Sequence, residues 1–222
     1  MRRDSSLDLL KWMAIALMTL GHTRFVWPEM SWASYPGRFA FVALCAVMAA
    51  HTMRQGDPSR STWRQLGLLA VAATVSQWPY HALTDRDMGN IMITLACGIA
   101  VMTGLRIPDW HGVLLATVGI ATPLVLPIEY GLLGVLLPSG FLIALSGSQR
   151  RWLLPISLAA LCQGGSIWQS ILAALSSLSV LVFLSAAWKL PHLPRVGRWT
   201  YVYYPAHMMI FVLIANMMNL HG

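Results

Sequence analysis

Charge is scarce in this chain. Only 10% of its 222 residues are Asp, Glu, Lys or Arg, while 57% are hydrophobic and the mean hydropathy is +0.61. A soluble domain typically carries about 25% charged residues, so the composition is that of a polytopic membrane protein and lipid is its first partner. Cysteine is also rare. Cys45, Cys97 and Cys162 lie far apart inside apolar runs, which matches neither a zinc pattern nor a disulfide framework, and they read as packing residues with no metal. Paired carboxylates within the apolar segments are missing, and so are an inverted repeat, a low-complexity tract and a soluble domain. These absences weigh against a transporter, although intramembrane histidines and lysines also build proton relays. The formal charge of +7 does not make a nucleic-acid partner, because the basic residues fall in short loops and form no single patch. No small-residue cleavage site follows the first apolar run, so that run is expected to stay as a span.

What is present is a succession of apolar segments with helix punctuation. Ser5 followed by Asp8 has capping-box spacing and opens a first helix expected to run to about residue 27, where Pro28 stops it. Further helices are predicted over about 35–53, 63–80, 90–105, 111–126 and 131–146, a short one over about 151–162, and two more over about 167–188 and 198–219. The fold class is thus all-α: one bundle over residues 1–222, with eight or nine spans, the short seventh being brief for a crossing.

Basic residues orient the bundle. With the amino end in the cytoplasm, Arg2, Arg3, Arg54, Arg60, Arg64, Arg106, Arg150, Arg151, Lys189, Arg195 and Arg198 fall inside and only Arg24, Arg38 and Arg86 outside. This orientation brings polar groups to one outer level: His22, Arg38, Gln77, Asn90, and Glu129 with Tyr130. His207 is expected about ten residues into the last helix, near mid-membrane, beside Pro205, which leaves the carbonyl of Tyr201 without its helical donor. His51, His81, His111, His192 and His221 sit at loops or ends and read as interfacial. The Met and Trp residues suit lipid-facing packing and aromatic belts.

The stretch LDLLKWMAIALMTLGHTRF organises the rest. Lys11 and His22 are eleven residues apart, which on a helix is three turns plus about 20°, so they share a face about 16 Å apart. Ionisable groups on one stripe of a membrane helix are a functional hypothesis by default. Lys11 also has a plainer reading, in which it snorkels to the inner interface or pairs with Asp8 at i, i+3.

The motifs LDLLKWMAIALMTLGH, YPGRFAFVALCA, VSQWPY, NIMITLACG, EYGLLGVLL and YYPAH occur in this order. Together they resemble the TraX family of conjugal-transfer membrane proteins, known as pilin acetylases, over about residues 7 to 212. Lys11, a ten-residue gap and His22 also fit the pattern of the wider integral-membrane acyltransferases. The resemblance implies a bacterial inner-membrane enzyme that moves an acetyl group from acetyl-CoA to the N-terminal amine of a membrane-held pilin subunit. It carries the acyl-transfer role to His22, as general base or acyl carrier, and the helix-two arginine role to Arg38. Glu129 stands where the family pattern has an aspartate before Tyr-Gly. On this reading Glu129 orients the imidazole, and Arg38 with Gln77 or Asn90 faces the oxyanion. Lys11, with Arg3 or Arg198, holds the CoA phosphates, and Tyr130 and His207 line the substrate site. A glycan acyltransferase and a non-catalytic pilus or secretion assembly subunit are the alternatives. The tiny outer loops leave little surface for a bulky glycan.

Overall fold

The computed structural model describes residues 5–54, 60–163, 165–186, 188 and 190–219. Arg2, Arg3, Lys189 and His221, named above, lie outside the described residues. Among the described residues there are nine α-helices, one for each segment expected: α1 (Ser5–His22), α2 (Ser34–Arg54), α3 (Arg60–Thr84), α4 (Ile91–Gly104), α5 (Trp110–Val125), α6 (Gly131–Leu145), α7 (Leu153–Cys162), α8 (Ile167–Ser185) and α9 (Trp199–Asn219). Among the described residues there is no β-strand, only a single parallel bridge between Gly89 and Ile128.

The helix ends follow local chemistry. Asn90 and Asp109 cap α4 and α5 by accepting from the amides of Met92 and of His111 and Gly112. The first helix ends at His22, earlier than residue 27, and the chain passes through two 3-10 segments, Thr23–Phe25 and Pro28–Ala33. The Thr23 hydroxyl donates to Leu20 O at 2.6 Å and the Trp27 amide returns to Thr23 O, which tightens the turn, and extended Trp27 then precedes Pro28. This early stop leaves His22 at a helix end. The third helix instead runs beyond residue 80, through Pro79 to Thr84.

Among the described residues, three segments are long and apolar enough to cross a membrane: Pro28–Arg54, Ile167–Ser185 and Trp199–Met218. Shorter apolar helices, Ile91–Gly104, Trp110–Val125 and Gly131–Leu145, pack among them. The helix α2 is the centre of the bundle. From Ala40 to Ala50 nearly every side chain is buried, and a helix apolar on all sides is a buried one. It packs against α1, α4, α6 and α8. The α1–α2 crossing is close, because a Cβ added to Gly21 would come within 2.9 Å of Gly37 Cα. Small residues let membrane helices approach this closely. The residues that follow those glycines are His22 and Arg38.

The helix α9 runs beside α1 in the same direction. Trp12 Nε1 donates to Pro194 O at 3.0 Å, the Thr19 and Tyr203 hydroxyls meet at 2.7 Å, and His22 meets His207 one turn further on.

Candidate functional site

A cavity of about 470 Å³ opens at the end of the bundle where α1 hands over to α2, α3 to α4, α5 to α6 and α7 to α8. Its volume is that of a small-molecule or peptide-terminus site. Four separate connections thus supply its wall: His22 and Arg24 from the first, Arg86 and Met88 from the second, Glu129 and Tyr130 from the third, Gln163 and Gln169 from the fourth. Arg38 and Phe41 come from α2.

His22 is oriented from behind. Its Nδ1 lies 2.8 Å from Nε2 of His207, whose Nδ1 lies 3.0 Å from the carbonyl oxygen of Tyr203. The two imidazoles stack at 5.1 Å, with Tyr204 edge-on to both and Phe25 on the far side of His22. His207 is buried and is not part of the cavity wall. The expectation that put it deeper than His22 counted residues from the start of its helix, but α1 and α9 run in step, which brings the two rings together.

Arg38 is fixed by Gln163 at the end of α7. One guanidinium nitrogen donates to Gln163 O at 2.6 Å, while the Gln163 side chain reaches back to Arg38 O at 3.4 Å. Its Nε is buried and has no hydrogen-bond partner among the described residues. Glu129 and Tyr130 sit on a turn held by two backbone bonds to Gly89 and by the Thr94 hydroxyl, which donates to Glu129 O. Tyr130 and Gly131 both have left-handed φ, 66° and 55°, and this sharp reversal lays the tyrosine ring flat on Phe41 at 4.0 Å. The Glu129 carboxyl group lies by the Ile91 amide at the start of α4, a favourable place for negative charge. Burial still pushes its pKa up to about 7, against the pull of Arg86 and Arg24. The partner that orients the imidazole is therefore His207, and Glu129 answers to the arginines.

The remaining expected residues lie elsewhere. Gln77 and Asn90 are not in the cavity wall. Asn90 is fully buried and donates to Ala73 O and Gln77 Oε1, both at 2.9 Å, while Gln77 donates to Met88 O at 2.8 Å. Both Asn90 amide hydrogens are committed, so Asn90 has no side-chain donor left for an oxyanion, and the pair braces the α3–α4 connection. Lys11 is also absent from the wall, whose α1 portion begins at Met18, and pairs with Asp8 at 3.8 Å, as the i, i+3 spacing predicts. Arg24, Arg86, Gln163 and Gln169 were not singled out by their spacing. The signal for two of them was in the charge count, since Arg24, Arg38 and Arg86 are the three cations assigned to the outer side, and all three line this cavity. Among the described residues no group of three or more His, Cys, Asp or Glu side chains is arranged to hold a metal ion.

The family model described as TraX protein matches residues 6–215, nearly the whole chain. No curated protein and no solved structure matches.

Proposed function

Because the chain belongs to the TraX family, which is tied to conjugation and its pilins, we propose that it is an integral-membrane acetyltransferase acting on the N-terminal amine of a pilin subunit, with acetyl-CoA as donor. The observation that carries this reading is the hydrogen-bonded chain from Tyr203 O through His207 to His22 at the cavity wall.

A carbonyl oxygen only accepts, so His207 Nδ1 carries a proton and donates it to Tyr203 O. In neutral His207 the lone pair is then on Nε2, and His22 must donate to it from Nδ1. His22 Nε2 is left with a lone pair. That nitrogen is the base. As the amine nitrogen bonds the acetyl carbonyl carbon, His22 takes its proton, the carbon–sulfur bond breaks, and the CoA thiolate leaves and picks up a proton. General-base help of this kind contributes typically 10²–10⁴-fold. The same lone pair serves a covalent acetyl-histidine route. Arg38, held in place by Gln163, faces the tetrahedral oxyanion. Glu129 receives the acceptor amine.

The charge pattern suggests the membrane placement: a bacterial inner-membrane protein with nine spans, a cytoplasmic amino end and the cavity at the outer level, where a processed pilin terminus is released. Acetyl-CoA then comes from the basic inner end, with Lys11 near its phosphates. Intact mass of the pilin made with and without this protein tests the reading. A gain of one acetyl on the terminal amine, lost in H22A at equal expression, is the expected result. Acetylation that persists in H22A would refute it, and an unchanged pilin mass would remove the acceptor.

A further inference from the structure

We propose that Arg24 and Arg86 form an anion subsite, and that the preferred acceptor is an amine terminus with an acidic side chain within its first few residues. This inference rests on the acetyl-transfer reading above and names the acceptor chemistry that the cavity selects. The observation behind it is an imbalance. Three guanidiniums, from the turn after α1, from α2 and from the α3–α4 connection, line one cavity with a single carboxylate, Glu129. Arg38 is turned onto Gln163 and has its place in the chemistry, whereas Arg24, whose guanidinium lies over the Phe25 ring at 4.6 Å, and Arg86 have no part in the steps above. Arg24 lies within electrostatic reach of Arg86, Arg38 and Glu129, so the excess positive charge is concentrated in one recess. Arg24 is half-buried and Arg86 exposed at the mouth, so the pair meets an incoming ligand with like charge that an anionic group on that ligand offsets.

The reacting amine is not that counter-charge, being neutral or cationic, and it is served by His22 and Glu129. The second half of the cavity therefore fits something the amine carries with it. A guanidinium fork matches a carboxylate in a bidentate manner, better than it matches a neutral amide or hydroxyl. A peptide terminus that presents an amine and, a few residues on, an aspartate or glutamate complements both halves at once. An aminophospholipid offers a similar pairing of amine and anion, and the experiment separates it from the peptide.

The test uses the full chain in phosphatidylcholine nanodiscs with acetyl-CoA and pairs of peptides that differ only by Asp or Asn at positions two to five. The wild type is expected to show kcat/KM at least tenfold higher for the Asp peptide. That preference should shrink below twofold in R24Q/R86Q and be partly restored in R24K/R86K, with monodispersity checked for each variant. R86Q alone, expected to lose part of the preference, serves if the double variant does not fold. Equal rates for the two peptides in the wild type would overturn the subsite, as would a preference that survives both substitutions. Added phosphatidylethanolamine that becomes acetylated while the peptides do not would also overturn it, by making a headgroup phosphate the anion. Transfer to neither peptide nor lipid, neutral peptides included, removes the acetyltransferase reading and this inference with it. A flat Asp/Asn response with good transfer removes the inference alone.

Discussion

The two ends of this bundle carry charge in opposite ways. At the end away from the cavity, charged groups among the described residues are drawn onto protein partners. Lys11 faces Asp8, Asp8 also accepts from the Val196 amide at 3.4 Å, and Arg106 donates to Thr52 O at 2.7 Å. Those contacts tie helix ends together. At the cavity end, three arginines and a histidine share a recess with one recessed carboxylate. The same residue types thus brace the fold at one end and leave a net positive surface for a ligand at the other. The difference lies in what faces them and not in their number.

The largest blow to this contrast is at the histidine. H22A should abolish acetylation, a drop of about 10²–10⁴-fold, with the protein still folded, as read by pilin mass and by size-exclusion profile. Next comes Arg38. R38Q should lower kcat by about 10²-fold with little change in KM for acetyl-CoA, as expected for a group that acts on the oxyanion. H207A should lower kcat by about 10–100-fold, because His22 is freed to hold its proton on either nitrogen. H207Q, whose carbonyl oxygen can still accept from His22 Nδ1, should recover part of that loss. Nitrogen-15 spectra of labelled histidine provide a readout independent of turnover, with the Nδ1–H form of His22 present in the wild type and lost in H207A.

Glu129 sharpens the comparison through pH. Its folded pKa is raised from 4.5 to about 7, so the carboxylate that would hold the acceptor amine is lost as pH falls through 7. Activity should therefore climb between about pH 6 and 8, and E129Q should flatten that limb. The stability sign is the reverse. A raised carboxyl pKa means that ionisation costs the fold above the unfolded pKa, with the full cost present above the folded one. E129Q should thus raise Tm at pH 8 by a few °C, on the order expected for 1–2 kcal/mol in a chain of this size, and leave it unchanged at pH 4. The smallest effect belongs to the braced end. K11A should raise KM for acetyl-CoA about two- to threefold and leave kcat alone, since Lys11 pairs with Asp8 and is not in the cavity wall. A loss of kcat as large as that of R38Q would erase the contrast between the two ends.

The helices were readable from apolar run length, a local signal, and most of their limits to within a few residues, although α1 stops at His22 well before residue 27 and α3 runs on to Thr84. The convergence of His22, Arg38, Glu129 and Tyr130 was also readable, because each sits next to a helix end that alternation places on one side. Three things were not. The contact between His22 and His207 joins residues 185 apart and depends on α1 and α9 running in step. Gln163 joins the site through the end of α7, a helix of ten residues whose depth its own pattern does not reveal. Gln77 and Asn90 have the right chemistry and the right level, yet their amides are spent on each other and on the backbone, and only the packed geometry shows it.

The contact between Gly21 and Gly37 has a consequence for how this protein can change. The two backbones touch where each helix lacks a side chain, and His22 and Arg38 are the next residues along. One added methyl at either position would act as a wedge, separating His22 from Arg38 without altering either. Damage to such a protein can therefore look catalytic in an assay while its origin is purely steric, and a variant survey that reads only side-chain chemistry would assign the fault to the wrong residue.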